Sequence, residues 1–268
     1  MSLYELGKRR RAVRPSPLFL VVLAITALGA VIAWTQQGVS SRFGDFGVLL
    51  LVLGGWVVTV CFHEFAHAYA AYRAGDRSVE AQGYLTLNPF KYAHPVLSIL
   101  LPLVAIIGGG FALPGGAVYL HTSSFRSKHM RALAAAAGPL TNIVFAVALV
   151  LISANQTSGS HVRFWAGLAF LGFLQITAAI LNLVPIPGLD GYAIAEPYLD
   201  AETRRIGDKV KPWGLLVVLV LLFYATPLRN AFFDLVDAIY RGMGGTELLQ
   251  FLGSQFFKFW SNAPLGAR

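Results

Sequence analysis

The chain has 268 residues, of which 56% are hydrophobic and 13% are charged, and its mean hydropathy is +0.62. This composition excludes a globular enzyme and indicates an integral membrane protein. The formal net charge of +8 lies in short clusters beside apolar runs, a pattern that sets membrane topology and contacts anionic lipid, so we expect no nucleic-acid partner.

The first predicted element is an apolar run from Leu18 to Trp34, which follows a cluster of basic residues in 1–16. A secretory signal peptide is the competing interpretation, but the run exceeds the usual apolar core of such a peptide. It therefore predicts an uncleaved membrane span. The basic cluster places the N-terminus in the cytoplasm. After an outer loop over 36–46, the second span returns to the cytoplasmic side.

The second apolar run, Gly47 to Ala71, contains one charged residue, Glu64, and exceeds the about 20 residues that cross a bilayer. Glu64 lies between His63 and His67 in a His-Glu-x-x-His motif. On a helix, residues four apart share a face, so the two imidazoles can bind one metal ion with Glu64 beside them. Ionisable groups within a span are costly without a partner, which favours a metal site over a chance match.

Two other interpretations of this motif are weaker. A carboxylate-bridged di-iron site also uses Glu-x-x-His pairs, but no later glutamate has a histidine three residues further on. Cys61 precedes His63 by two residues and faces away from the histidine pair, so we expect a buried apolar thiol there.

The next region is predicted to hold two short strands around a membrane-embedded hairpin. The strands are Gly83 to Leu87 and Gly116 to Leu120. The apolar stretch 95–113 is long enough to cross, but a crossing would place Arg126 and the later basic clusters outside. We therefore expect it to return to the cytoplasmic side. The strands would offer an edge to which an unwound segment of another chain could add as a strand.

Two definite spans and a marginal final one follow, at Ala132 to Ile152, Phe164 to Val184 and Trp213 to Tyr224. The fourth span of the chain ends in a segment with two prolines and two glycines, where the backbone opens and Asp190 is the only carboxylate. The aromatic-rich stretches Phe232 to Tyr240 and Leu248 to Trp260 are predicted as interfacial helices.

The predicted fold is therefore an all-α integral membrane protein with about five transmembrane helices, plus the hairpin and the short strands near the site. We divide it into three parts. Residues 1–46 hold the basic segment, the first span and the outer loop, and residues 47–195 form the membrane core. Residues 196–268 hold a cytoplasmic segment, the final span and an amphipathic tail.

Two imidazoles and a carboxylate, with water in the fourth position, form a catalytic zinc arrangement. His63, His67 and Asp190 supply it if the second and fourth spans pack together. Glu64 would accept the proton of the attacking water and pass it to a leaving amine. Asn142, in the third span, either joins helices or donates to an oxyanion or to the substrate backbone.

These motifs resemble those of the site-2 protease family of intramembrane zinc metalloproteases. Three segments of 48–195 match the family's motifs in order, namely His63 to His67, Gly138 to Asn142 and Asn182 to Gly191. The resemblance implies a Zn²⁺ enzyme that hydrolyses a peptide bond in or near the span of a membrane-anchored protein, in regulated intramembrane proteolysis. It also implies a multi-pass protein of the cell membrane, in contact with the lipid bilayer, with its active site towards the cytoplasm.

Thr86 to Lys91 resembles the compact branch of this family. That branch often has a histidine and an aspartate before the next proline, whereas Tyr92 and His94 stand here, so no role is transferred to them. The nine-residue loop 153–161 is too short for a PDZ domain, and the C-terminal region is too short for a CBS pair. A metal-ion or proton transporter that uses the same histidines and carboxylates is the alternative function.

Overall fold

The computed structural model describes residues 13–36, 41–92, 125–156 and 160–260, which are mostly helical. Their ten α-helices are, in chain order, α1 (Pro17–Thr35), α2 (Arg42–Ala74), α3 (Ser78–Ala81), α4 (Lys128–Ser153), α5 (Val162–Leu183), α6 (Asp190–Ala195), α7 (Ala201–Val210), α8 (Gly214–Tyr224), α9 (Thr226–Gly242) and α10 (Glu247–Phe257). Short 3₁₀ turns lie at Tyr84–Thr86, Pro89–Lys91, Glu196–Tyr198 and Lys211–Trp213.

Four of these helices, α1, α2, α4 and α5, are long and apolar enough to cross a membrane. A fifth crossing is formed if the segment from α7 to α8 is joined with α9, which it meets at a bend of 96°. The described residues thus contain four or five possible crossings. The chain is a multi-pass membrane protein, as its composition predicted.

Three of the long helices begin at a serine whose hydroxyl accepts a hydrogen bond from the backbone amide three residues further on. These serines are Ser16, Ser41 and Ser127. The first amides of a helix have no partner within the helix, and a serine at this position satisfies one of them. At its other end, α2 stops at Gly75, whose φ of 122° favours glycine.

The central helix of the bundle is α5. In the most apolar stretch of α5, 78% of the residues are buried. The corresponding share for α1, which lies at the periphery, is 22%. α1 packs mainly against α2. The two helices approach closely through Gly29, Gly47 and Gly54, since a Cβ atom at any of these positions would overlap the facing helix. The glycines therefore hold α1 at a fixed place along α2.

α2 and α4 lie side by side and run in opposite directions. His63 contacts Asn142, whereas His67, one turn further along α2, contacts Ala134, two turns earlier on α4. α2 therefore ends at the end of the bundle where α4 begins. The predicted hairpin at 95–113 and the predicted strand at 116–120 lie outside the described residues.

The predicted strand from Gly83 to Leu87 is wrong, because the structure has a 3₁₀ turn at Tyr84–Thr86. Gly83 and Leu87, at its two ends, have φ angles of 78° and 55°, which no strand tolerates. The successive residues Tyr84 and Leu85 are both buried, whereas neighbouring strand residues point to opposite faces. The described residues contain no strand, so the segment 83–87 does not offer the strand edge that was predicted there.

The amphipathic helices α9 and α10 pack against α5 by their apolar faces. In α10, the ring of Phe257 lies 5.6 Å from the ring of Phe170. At this end of the bundle, Nε of Arg163 donates to Oδ1 of Asp45 at 2.8 Å, and the guanidinium lies 5.0 Å from the ring centre of Phe256. The helices predicted as interfacial thus cover part of the central helix.

Candidate active site

Two histidines on consecutive turns of α2 face the interior of the bundle. Nε2 of His63 and Nε2 of His67 are 3.0 Å apart, and the residues are 5% and 6% exposed. Four-residue spacing on a helix places side chains one above the other. The pairing that the sequence predicted is present.

Asp190 reaches this pair from the break that follows α5. Pro185 and Pro187 cannot continue a helix, and Gly188 takes a φ of 104°, so the chain turns and begins α6 at Asp190. Oδ2 of Asp190 lies 3.2 and 3.4 Å from the Nε2 atoms of the two histidines. The structure therefore brings together the three ligands that the sequence predicted.

Each imidazole is held by a hydrogen bond at its other nitrogen. Nδ1 of His63 lies 3.1 Å from Oδ1 of Asn142, and Nδ1 of His67 lies 2.7 Å from the carbonyl oxygen of Ala134. Since both partners accept, Nδ1 of each ring donates and Nε2 keeps its lone pair for a metal. The sequence pointed to Asn142 as a polar group but could not indicate Ala134, because any residue has a backbone carbonyl.

Gly138 of α4 lies against the two histidines. A Cβ atom at this position would overlap Nε2 of His67 and would lie 2.5 Å from Nε2 of His63. Glycine thus keeps space open in front of both ligand atoms. The sequence placed Gly138 in a motif without indicating this role. The feature that could have indicated it is the presence of a glycine inside a span, one turn before Asn142.

Glu64 is 1% exposed. Its Oε2 atom has no hydrogen-bond partner among the described residues. Burial of an unpaired carboxylate oxygen costs free energy. The stability of the fold therefore does not explain why a glutamate is buried at this position.

Cys61 is fully buried, as predicted. It is outside the cluster formed by His63, His67 and Asp190. The hydroxyl of Tyr92 donates to the carbonyl oxygen of Cys61 at 3.1 Å. Tyr92 therefore supports the backbone of α2 just before the histidines.

The donor atoms fit a zinc ion. One atom from each of His63, His67 and Asp190 lies within 4.8 Å of the others, and zinc binds two imidazoles and a carboxylate with one position left open. The carboxyl of Asp190 would bind the metal in its ionised form.

Relatives of the chain carry names that agree with this site. A protein of Mycolicibacterium smegmatis named "Putative zinc metalloprotease Rip2" is 47% identical over 253 residues, which cover 94% of this chain and 96% of that protein. A protein of the same name from Mycobacterium tuberculosis is 44% identical over 94% of this chain and 97% of its own length. YwhC of Bacillus subtilis, with the same description, is 33% identical over 65% of this chain and 80% of its own length. No protein-family profile matches the chain, and neither does any solved structure.

Since these relatives match over most of their length, this protein is a zinc metalloprotease, and it is built on membrane-crossing helices. The chain belongs to the site-2 protease family, which its three motifs resembled. Its cofactor is zinc. The transporter alternative receives no support from the relatives.

Proposed function

We propose that the protein is an intramembrane protease. Its substrate would be a protein anchored by a single span, such as a membrane-tethered regulator or a signal-peptide remnant. The observation that carries this proposal is the location of His63 and His67, which lie buried within α2, one of the candidate spans. A peptide bond that reaches them belongs to a substrate that itself lies in the membrane.

We assign metal binding to His63, His67 and Asp190, and catalysis to Glu64 and Asn142. When bound, zinc lowers the pKa of a coordinated water towards neutrality and polarises the scissile carbonyl. Glu64 takes the proton of the attacking water and then donates it to the leaving amine. The unpaired Oε2 atom of Glu64 supports this role, since it is available to accept that proton.

The wild-type chain is expected to bind about one zinc ion through three ligands. The Asp190→Ala variant keeps only two of these ligands and is therefore expected to lose the zinc. The zinc content of the purified proteins and cleavage of a membrane-anchored reporter would be measured together. Asp208→Ala changes an exposed aspartate of α7 and is the control that keeps both. Full zinc occupancy in Asp190→Ala would show that Asp190 is not a zinc ligand. A zinc-loaded wild-type protein that cuts no membrane-anchored substrate would contradict the proposed function.

Asn142 has two separable roles in this proposal. Its Oδ1 atom orients His63, and its amide group would donate to the oxyanion or to the substrate backbone. Asn142→Asp keeps an acceptor for His63 and removes the amide donor. We expect zinc affinity near that of the wild type but cleavage about 10²-fold slower, since loss of one oxyanion donor typically costs that much. Asn142→Ala should lower both. Wild-type cleavage by Asn142→Asp would leave Asn142 with the orienting role alone.

We propose residues 47–195 as the catalytic core, the cell membrane as the location, and the cytoplasmic side as the side of the active site. The basic clusters in 1–16 and 204–211 support this orientation. Reporter fusions within 1–14, 121–130 and 195–210 are expected on one side, and fusions within 153–162 on the other. An outside reading at residue 125 would exclude the hairpin at 95–113.

A further inference from the structure

The short helix that carries Asp190 is tied to α4 by an ion pair. α6 has six residues, and isolated helices shorter than about 12 residues are marginally stable, so its direction depends on its neighbours. Glu196 follows α6 directly. Its Oε1 atom accepts a hydrogen bond from a terminal guanidinium nitrogen of Arg131, near the start of α4, at 2.6 Å.

This ion pair is largely buried. The side chains of Arg131 and Glu196 are 22% and 10% exposed, whereas those of the ion pair between Arg241 and Glu247 are 58% and 64% exposed. Water and salt screen a buried pair less than an exposed one. The Arg131–Glu196 pair is therefore able to hold the two chain segments together, and the exposed pair provides a control.

Both segments joined by the pair contribute to the site. α4 supplies the carbonyl oxygen of Ala134, three residues after Arg131, and the space at Gly138. α6 supplies Asp190. Arg131 and Glu196 thus connect α4, which accepts the hydrogen bond from His67, with α6, which carries the third ligand.

A second contact joins the same two segments. The hydroxyl of Tyr198, two residues after Glu196, lies 2.7 Å from Nδ1 of His129, two residues before Arg131. Because this contact is exposed, we expect it to constrain α6 less than the buried ion pair does.

We propose that the Arg131–Glu196 ion pair is a positioning contact that holds Asp190 at the two imidazoles and thereby sets the affinity of the site for zinc. The inference rests on the proposed ligands His63, His67 and Asp190. Groups that position metal ligands commonly change metal affinity by about 10- to 100-fold when they are replaced.

The test is the dissociation constant for zinc of the full chain in detergent, measured by competition with a zinc-binding dye after removal of metal. Glu196→Gln and Arg131→Gln are each expected to bind zinc about 10-fold more weakly than the wild type. The exchange Arg131→Glu with Glu196→Arg should recover most of that loss. Glu247→Gln, which breaks the exposed pair, should bind zinc as the wild type does. Raising free zinc about 10-fold should restore cleavage by Glu196→Gln.

Wild-type zinc affinity in both single variants would overturn the inference. So would an exchange variant as weak as the single variants, because the loss would then not come from the pairing. The failure of the proposed function is distinguishable. If Asp190→Ala binds zinc as the wild type does, the ligand assignment fails, whereas wild-type affinity in Glu196→Gln with loss in Asp190→Ala overturns the positioning role alone.

Discussion

Glu64→Gln is expected to keep its zinc and to cut a membrane-anchored substrate about 10²–10⁴-fold more slowly than the wild type, the usual worth of a general base. Glutamine preserves the size of the side chain but cannot accept the proton. Because Glu64 lies outside the ligand cluster, its replacement should leave the metal in place. Uncut substrate should then co-purify with the variant.

The measurement pairs zinc content with the initial rate of cleavage in detergent or in vesicles. Glu202→Gln alters an exposed glutamate of α7 by the same chemical change and serves as the control. Cleavage at the wild-type rate by Glu64→Gln would exclude Glu64 as the base. Loss of zinc would instead make Glu64 a ligand.

Gly138→Ala is expected to abolish both zinc binding and cleavage. The added methyl group would overlap Nε2 of His67 and would lie 2.5 Å from Nε2 of His63. Alanine favours a helix over glycine by about 1 kcal/mol, so α4 itself should not be weakened. The expected defect is therefore a folded protein whose histidines can no longer bind zinc together.

Gly242→Ala is the matched control, since a Cβ atom at that helical position meets nothing within 4 Å among the described residues. It should bind zinc normally. Zinc content and thermal unfolding of the metal-free proteins would be compared. Normal zinc content in Gly138→Ala would show that α4 can move away from the histidines, and that the close approach is not required.

The three proposed ligands could be predicted because each depends on a local feature of the sequence. His63 and His67 are paired by the helical repeat, which needs no knowledge of the fold. Asp190 is the only carboxylate in a segment that cannot continue a helix. The long spans were predictable for the same reason, since an apolar run of sufficient length has few alternatives in a membrane.

The missed features depend on contacts between distant segments. The alternation from Gly83 to Leu87 suggested a strand, but the burial of Tyr84 and Leu85 against other parts of the chain favours a turn. The backbone amide of Ser16 also donates to the carbonyl of Thr86 at 2.8 Å. The pairing of Arg131 with Glu196 likewise spans 65 positions, and no local pattern indicates which charges will meet.

The close packing of α1 on α2 restricts how the depth of the active site can change. His63 lies about 32 Å along the axis of α2 from Arg42, at about 1.5 Å per residue. One residue inserted between Gly54 and His63 would move the histidines by about 1.5 Å and also rotate them by about 100° relative to the face that meets α1. They would then turn away from Asp190 and Asn142. Insertions between Gly54 and His63 that keep the histidines facing Asp190 and Asn142 must therefore shift them along the axis by close to a whole helical turn, about 5.4 Å.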